Sequence, residues 1–322
     1  MKMAILGAGG IARKMAETWN AMAEVESYAI AARDLARAEE FAKEFGFVKA
    51  YGSYEEMVQD PEVELVYIAV PHSHHYETTK LCLQHGKHVL CEKAFMVNAK
   101  QAKEVVTLAR EKNCLLAEAI WTRYLPSRKM IDEVIASGAI GKVTSLTANL
   151  CYQISNVERM QKPELAGGAL LDLGVYPINF ASMVFGNDIK KVTSSAVISE
   201  LGVDYQNSIT LEYQDGKVAM LHSNFLACSD RRGMIFGDKG YLEIENINNC
   251  ELITRYTPDY KVAEIIDIPE QLTGFEYQVT ACMKAIQAGK VECEEMPHAE
   301  SIFVMELMDQ LRKEWGVVYP GE

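Results

Sequence analysis

The chain opens with KMAILGAGGIA, residues 2–12, which joins a short apolar run to a glycine-rich loop. The apolar run is typical of a buried strand, and the period that brings Met15 and Trp19 to one side predicts a helix after the loop. Gly7, Gly9 and Ala12 have the spacing G-x-G-x-x-G/A. Strand, glycine turn and helix in this order are typical of a unit that binds an anion at the helix N-terminus. A tight turn without a ligand is the alternative.

The first third of the chain repeats this alternation of strand and helix. Further apolar runs predict strands at residues 27–31, 64–70, 87–91 and 114–118. Asp34 and Gly46 are the expected N-cap and end of one helix, and Asn98 caps a second helix that runs through Arg110. Repeated strand-helix-strand units predict a parallel sheet with right-handed crossovers, so we expect a doubly wound (Rossmann) domain over residues 1–120.

The pattern changes after residue 120. Helices are predicted at residues 126–137, 170–185, 274–288 and 297–315. Strands dominate between the second and third of these helices, with hairpin turns at Asp215-Gly216 and at residues 237–240. The predicted fold class is therefore α/β plus α+β, with a mostly antiparallel sheet in a second domain over residues 121–322.

The composition limits the possible functions. The chain has 322 residues, 49% of them hydrophobic, which is enough for two cores of ordinary size. A net charge of −13 and a pI near 5.1 disfavour nucleic acid and anionic membranes as partners. We expect no nucleic-acid partner because of this negative charge. We also expect no apolar run to be long enough for a membrane span, and therefore no membrane partner and a cytoplasmic protein.

The cysteine and histidine residues do not form a metal-binding pattern. The eight cysteines are scattered singly, which indicates free thiols in the core. His72, His74 and His75 are close in sequence, but alternate residues of an extended loop rarely meet at one ion without a carboxylate or thiolate. We therefore expect no metal.

The glycine loop predicts a dinucleotide cofactor. A side chain at the glycine positions would hold the backbone away from a pyrophosphate, whose charge would lie at the helix N-terminus. The residues expected to contact this group are Gly7, Gly9, Gly10, Ile11 and Ala12.

The residues that follow the second strand favour NADP over NAD. A carboxylate at this position would bind the ribose hydroxyl of NAD, but the sequence here is Ala31-Ala32-Arg33. The Arg33 guanidinium can pair with a 2′-phosphate, and Arg37 follows one helical turn later. Asp34 leaves NAD possible, because its carboxylate could turn inward instead of capping the helix.

Glu92 and Lys93 follow the predicted strand of residues 87–91. In a doubly wound domain this edge of the sheet faces the nicotinamide. Lys93 could donate to a substrate oxygen and favour the ionised form of a nearby phenol. A solvated ion pair at the strand end is the alternative.

The stretch GGALLDLGVY, residues 167–176, places Asp172 and Tyr176 four residues apart. In a helix both side chains would lie on one face, where they could reach one substrate hydroxyl. A carboxylate among leucines needs a partner, and Lys93 or a substrate hydroxyl would serve. Alternatively, Asp172 caps a helix and Tyr176 is an ordinary core residue. Pro177 supports this alternative, since it implies a kink or a late helix start.

These motifs carry a resemblance to a known family. The chain is similar over essentially its whole length to the Gfo/Idh/MocA oxidoreductases, and residues 118–126 (EAIWTRYLP) and 167–176 resemble the dihydrodiol dehydrogenase and D-xylose dehydrogenase branch. The resemblance implies that Lys93 and Tyr176 are the catalytic acid/base pair, with Asp172 orienting the hydroxyl or the lysine. It also implies NADP, a sugar, polyol or cyclic diol substrate, and a homodimer through an open face of the C-terminal sheet.

Further site residues belong to the same hypothesis. The cofactor site is expected to include Lys93 together with Pro71, His74 and Glu92. The pocket for a sugar-sized substrate is expected to be lined by Trp121, Arg123 and Tyr124. As alternatives, Trp121 packs between the domains, and His74 and His75 only cap the helix that follows.

One residue departs from the family pattern. Ala94 stands where the family usually has proline, often in a cis peptide, and a cis bond before alanine costs about 3 kcal/mol. The lysine placement could therefore differ. Two other functions remain open: a dinucleotide-binding regulator or scaffold without turnover, and an inositol or amino-sugar dehydrogenase, although those usually have histidine where Tyr176 stands.

Overall fold

The computed structural model describes all residues from Met1 to Glu322. The chain forms two compact units, each made of two segments. Unit 1 comprises Met1–Trp121 and Gln271–Glu306, and unit 2 comprises Thr122–Glu270 and Leu307–Glu322. The division predicted from the sequence, residues 1–120 and 121–322, has a single boundary and does not include the return of residues 271–306 to unit 1.

Fourteen strands and ten α-helices make up the two units. The strands are β1 (Lys2–Leu6), β2 (Glu26–Ala31), β3 (Lys49–Tyr51), β4 (Leu65–Ile68), β5 (His88–Glu92), β6 (Leu116–Ala119), β7 (Val143–Cys151), β8 (Ile189–Ile198), β9 (Asp204–Tyr213), β10 (Val218–Asn224), β11 (Gly233–Gly237), β12 (Gly240–Ile244), β13 (Leu252–Tyr256) and β14 (Val262–Asp267). The helices are α1 (Gly10–Asn20), α2 (Leu35–Phe45), α3 (Tyr54–Gln59), α4 (His75–Gln84), α5 (Ala99–Glu111), α6 (Pro126–Ala136), α7 (Glu158–Gln161), α8 (Val175–Phe185), α9 (Glu276–Gln287) and α10 (His298–Trp315).

Unit 1 contains a six-stranded parallel sheet in the order β3-β2-β1-β4-β5-β6. This is the strand order of a doubly wound dinucleotide-binding domain, so the predicted Rossmann domain is confirmed. The short strand β3, which is not predicted from the sequence, extends the edge of the sheet beside β2.

Local capping signals set the helix ends in unit 1. The Asp34 side chain accepts a hydrogen bond from the Ala36 backbone N–H at 3.0 Å, and Gly46 ends the helix with a φ of 77°. Asn98 caps α5 by accepting from the Gln101 N–H at 2.9 Å. All three predicted helix boundaries are confirmed, because each depends only on residues within one turn of the helix end.

Unit 2 contains an eight-stranded sheet in the order β14-β13-β12-β11-β7-β10-β9-β8. Only β7 and β10 pair in parallel, so the predicted mostly antiparallel sheet is confirmed. On β9, Ile209 and Leu211 are buried, whereas Ser208 and Thr210 on the opposite face are accessible to solvent. Helix α8 packs against β7 and β10 on the buried face. The sheet therefore has one covered face and one open face.

One helical stretch corrects an expectation from the sequence. By length and composition the helical stretch Pro163–Phe185 is long and apolar enough to cross a membrane, whereas the sequence predicts no such run. In the structure, 83% of the most apolar window of this stretch is buried. Such burial is typical of a core helix in a folded domain.

All eight cysteines are free, as predicted. Seven are buried, and Cys228 is the exposed exception to the predicted core location. The structure brings together no group of three or more His, Cys, Asp or Glu side chains that could hold a metal ion.

Candidate active site

The glycine loop of unit 1 leads directly into α1. Gly7 has a φ of 104°, and a Cβ on it would lie 2.6 Å from the Ala69 carbonyl oxygen, so a larger residue here would strain the backbone. Gly9 occupies the N-cap position of α1 and provides no side chain to accept from the first N–H groups. A Cβ on Gly10 would meet no atom within 4 Å. The loop thus leaves open space beside unpaired N–H groups at a helix N-terminus, which fits a pyrophosphate.

The other loop positions support the same arrangement. Ala12 is fully buried in the first turn of α1, and Ile11 before it is partly exposed. Arg37 donates from Nη2 to the Ala8 carbonyl oxygen at 2.8 Å, so α2 is tied to the glycine loop.

The residues that follow β2 give the loop a positive edge. Arg33 is exposed, and its charge acts on His74, whose pKa is lowered by burial first and by Arg33 second. Burial raises the pKa of Tyr54, while the charges of Arg33 and Arg37 oppose this rise. The Asp34 carboxylate accepts from the N-terminus of α2, so its side chain serves as the helix cap and not as the inward-turned carboxylate of the alternative. The positive charge of the exposed Arg33 therefore fits an anionic substituent near the nucleotide ribose.

The loop after β4 contains Pro71 and the histidines. Pro71 precedes a single helical turn over His72–His74, and His74 at the start of α4 makes no side-chain cap hydrogen bond. The helix-capping alternative for His74 is therefore wrong. Its Nδ1 lies 3.0 Å from the Ser73 hydroxyl instead.

His75 is fully buried between two loops of unit 1. Its Nδ1 lies 2.9 Å from the Ala94 carbonyl oxygen, and its Nε2 lies 2.9 Å from the Val70 carbonyl oxygen. Burial lowers the pKa of His75 to about 4, so the imidazole is neutral at pH 7 and can donate to only one of the two carbonyls at a time. The ring links the loop after β4 to the loop that holds Lys93.

Glu92 and Lys93 end β5 as predicted. The Glu92 carboxylate is buried and accepts a hydrogen bond from the Tyr67 hydroxyl and another from the Lys93 N–H at 3.2 Å. The alternative of a solvated ion pair at the strand end is wrong for Glu92, because its side chain is buried. The Lys93–Ala94 peptide bond is cis, as the bond before proline often is in the family pattern.

Trp121 and Phe275 stack in unit 1. Their ring centroids are 4.2 Å apart and their planes differ by 11°. The Glu276 carboxylate accepts from the Gly274 N–H at 2.7 Å and so holds the turn before Phe275. No sequence signal marks Phe275, because nothing in its neighbourhood indicates a contact with a residue more than 150 positions earlier.

In unit 2, Asp172 and Tyr176 lie on one continuous helical stretch. Asp172 is in a π-helical turn over Leu170–Gly174, and Tyr176 is in the first turn of α8. Both side chains are buried. Pro177 has no N–H to donate, and a π-helical turn precedes it at the point where the sequence predicts a kink or a late helix start.

Arg159 is a partner of Asp172 that the sequence analysis did not identify. Arg159 donates from Nη1 to Oδ1 at 2.9 Å and from Nη2 to Oδ2 at 3.3 Å. The sequence predicts Lys93 or a substrate hydroxyl as the partner of this carboxylate. The alternative in which Asp172 caps the helix is wrong, since the helical turn that contains it has no side-chain cap from this residue.

The cap of this helical stretch is Asp204, the first residue of β9. Its Oδ2 accepts from the Leu170 N–H at 2.9 Å and from the Asn207 Nδ2 at 2.8 Å. Burial raises the pKa of Asp204 to about 7. Gly168, with a φ of 109°, fits closely against this carboxylate, since a Cβ on it would lie 2.4 Å from Oδ1.

Arg123 and Tyr124 are buried in unit 2. Arg123 donates from Nε to the Asn179 side-chain oxygen at 2.6 Å and from Nη2 to the Ser182 hydroxyl at 2.9 Å, so its guanidinium holds α8. The predicted roles of Trp121, Arg123 and Tyr124 in substrate binding remain predictions.

Comparison with known proteins gives the family of both halves. Residues 1–120 match the oxidoreductase family with an NAD-binding Rossmann fold, described as GFO_IDH_MocA, and residues 129–243 match the GFO/IDH/MocA C-terminal domain. The chain is 35% identical to trans-1,2-dihydrobenzene-1,2-diol dehydrogenase of Mus musculus, over 100% of this chain and 99% of the relative. It is 35% identical to the Homo sapiens enzyme of the same name, over 93% and 91% of the two chains.

Solved structures share the whole fold. A 3-ketoreductase from Actinomadura kijaniata in complex with NADP and TDP-benzene has a TM-score of 0.89 at 23% identity, over 97% of both chains. A levoglucosan dehydrogenase in complex with NADH and L-sorbose has a TM-score of 0.87 at 18% identity, over 98% of this chain and 97% of the other. The strand order of unit 1 and the mostly antiparallel sheet of unit 2 agree with these matches. The chain is also 35% identical to a relative along its whole length. The chain therefore belongs to the Gfo/Idh/MocA oxidoreductase family.

Proposed function

We propose that the protein is an NADP-dependent dehydrogenase that acts on a secondary or hemiacetal alcohol of a sugar, polyol or cyclic trans-diol. The observation that carries the proposal is the buried helical stretch in which Asp172 and Tyr176 lie four residues apart, with Asp172 held by an arginine. The relatives named as dihydrodiol dehydrogenases, at about a third identity along the whole chain, support the substrate class.

The proposed chemistry separates hydride transfer from proton transfer. The bound nicotinamide exchanges a hydride with the carbon of the alcohol or carbonyl. Tyr176 takes the hydroxyl proton during oxidation and returns it during reduction. Lys93 favours the phenolate form of the tyrosine, and Asp172 orients the hydroxyl or the lysine. The pairing of Lys93 with Tyr176 rests on the family motifs; this chain keeps the lysine and the tyrosine of both, although Ala94 replaces the proline that usually follows the lysine.

The preference for NADP is supported by the charges after β2. Arg33 is exposed there, and Arg37 binds the glycine loop. The Asp34 carboxylate is not available to bind a ribose 2′-hydroxyl at this edge, because that side chain caps α2. We propose that Arg33 binds the 2′-phosphate, with His74 beside it and NAD as the weaker alternative.

We further propose that the protein is a homodimer joined through the open face of the unit 2 sheet. Met220 on β10 is 43% exposed on this face, beside Thr210 on the neighbouring strand. An exposed methionine among accessible sheet residues suits a surface that a second copy covers.

The test of the proposed function is turnover. Nicotinamide absorbance should be followed with NADP and with NAD against aldoses, polyols and trans-dihydrodiols, and separately against inositols and amino sugars. We expect turnover of at least one class in the first group, with NADP preferred. The Tyr176→Phe variant should lose at least about a hundredfold in kcat, the size expected for removal of a general base, and should still bind NADP.

Three results would contradict the proposal. Unchanged turnover in Tyr176→Phe would remove the tyrosine from the mechanism. Binding of NADP without turnover of any compound would favour the regulatory function instead, while turnover restricted to inositols or amino sugars would favour the other enzyme class.

A further inference from the structure

A half-exposed arginine holds the buried carboxylate of the candidate active site. The side chain of Asp172 is 6% exposed, whereas that of Arg159 is 41% exposed. The two donor nitrogens of the guanidinium meet the two carboxylate oxygens one to one. Such a fork fixes the plane of a carboxylate as well as its position.

The backbone around Arg159 is built for this contact. A Cβ on Gly167 would lie 2.5 Å from the Arg159 carbonyl oxygen and 2.6 Å from that of Met160. The Gly168 N–H donates to the Met160 carbonyl at 2.9 Å. The two glycines therefore let the short helix α7 fold back onto the start of the helical stretch that carries Asp172.

The backbone of the same stretch has two further supports. Tyr319 donates from its hydroxyl to the Gly167 carbonyl at 2.6 Å, and Asp204 caps the helical turn through Leu170. Because the backbone of this stretch has these fixed supports, the contact with Arg159 is not needed to form the helix. Its effect falls on the orientation of the Asp172 side chain.

We propose that Arg159 is a positioning residue of the catalytic site, which acts by fixing the carboxylate of Asp172 for the reaction. This inference rests on the proposed function, since it assigns a role within the same reaction. Removal of the guanidinium leaves a buried carboxylate that has lost its fork, so it turns away from the productive orientation or binds another cation. The loss falls on kcat, because binding of the nucleotide uses residues of unit 1.

The experiment compares Arg159→Ala with a matched control. Arg255→Ala removes another arginine of unit 2, which pairs with Glu264 at 3.0 Å across β13 and β14. We expect Arg159→Ala to lower kcat at least about tenfold while the Kd for NADP, measured by tryptophan fluorescence, changes less than about threefold. Arg255→Ala should leave both values unchanged.

Chemical rescue separates positioning from a folding effect. Because Arg159 is partly exposed, methylguanidinium added to the folded Arg159→Ala protein should reach the vacated position and restore part of kcat in a saturable manner. The control variant should not respond. Arg159→Lys keeps the charge but loses the fork, so we expect its kcat to lie between those of the native protein and Arg159→Ala.

The outcomes are distinguishable from failure of the proposed function. Turnover in the native protein and its loss in Tyr176→Phe establish that function first. Native kcat in Arg159→Ala would then overturn the inference alone. A loss that methylguanidinium does not restore, together with a lowered Tm, would assign Arg159 to folding and would also overturn it. If Arg159→Ala does not fold, Arg159→Lys and Arg159→Gln replace it, and full kcat in Arg159→Gln overturns the inference.

Discussion

The carboxyl group of Asp204 couples the stability of the protein to pH. Burial raises its pKa from 3.8 to about 7, so the folded chain holds the proton more tightly than the unfolded chain. This contribution to the free energy of unfolding is fully present below pH 3.8 and is lost as the pH rises to about 7. Asp204→Asn keeps an acceptor oxygen for the Leu170 N–H but cannot ionise. From about pH 5 to about pH 8, the stability of this variant relative to the native protein should rise by about 2 to 3 kcal/mol.

Urea unfolding at the two pH values measures this difference. The comparison of variant with native protein at each pH cancels the other groups that titrate in this range. Asp215→Asn is the control, because Asp215 is exposed and Lys217 lowers its pKa. It should show no such rise. If the difference in free energy of unfolding between Asp204→Asn and the native protein stayed constant across this pH range, Asp204 would be ionised in the folded protein without a cost in stability.

At the residue scale, the sequence predicts the identity of candidate site residues better than their partners. Asp172 and Tyr176 are recognisable from their spacing in an apolar stretch, and Arg33 from its place after a strand. Arg159 and Asp204 are not, because their contacts join segments that no spacing rule relates. The Gly167-Gly168 pair is the one sequence signal of close backbone approach here, and it does not say which residues approach.

At the scale of elements, Gly7 and Gly9 of the same glycine loop meet different structural requirements. Gly7 has a positive φ and no room for a Cβ beside Ala69, whereas Gly9 has a φ of −91° and its Cβ would lie 3.9 Å from the same carbonyl oxygen. Gly7→Ala should therefore lower the free energy of unfolding by about 2 kcal/mol or more. Gly9→Ala should leave the cofactor-free protein as stable as the native one and weaken NADP binding at least about tenfold.

Urea unfolding without nucleotide and fluorescence titration with NADP measure the two effects separately. The two variants serve as controls for each other, since each adds one methyl group to the same loop. Equal NADP affinity in Gly9→Ala and the native protein would show that the pyrophosphate does not approach this backbone.

The helix ends that were predicted have local signals, and two of the features that were missed lack them. The helix ends at Asp34, Gly46 and Asn98 depend on residues within one turn, so sequence alone is sufficient. Strand β3 has three residues, which is too short for alternation to show. The cis bond after Lys93 was not predicted either, because Ala94 carries no preference for it.

At the scale of the whole molecule, periodicity does not say which sheet a helix covers. The helices predicted at residues 274–288 and 297–315 form close to their expected bounds. From the sequence, both helices are expected in the second domain because they follow its strands in the chain. In the structure, α9 and the first half of α10 belong to unit 1, where the Leu116 N–H donates to the Val291 carbonyl and His298 lies 2.8 Å from the Leu116 carbonyl.

The proposed dimer gives a prediction about the open face of the unit 2 sheet. Met220 lies on this face of β10, and an arginine there would place a charge without a partner in the interface of two copies. Burying such a charge costs on the order of several kcal/mol in each copy. Light scattering coupled to size exclusion should give the native protein twice the chain mass of 36.0 kDa and should give Met220→Arg a single chain mass. Leu201→Arg, in the exposed turn between β8 and β9, should remain dimeric. A native protein of single mass, or an unchanged dimer in Met220→Arg, would exclude this face as the interface.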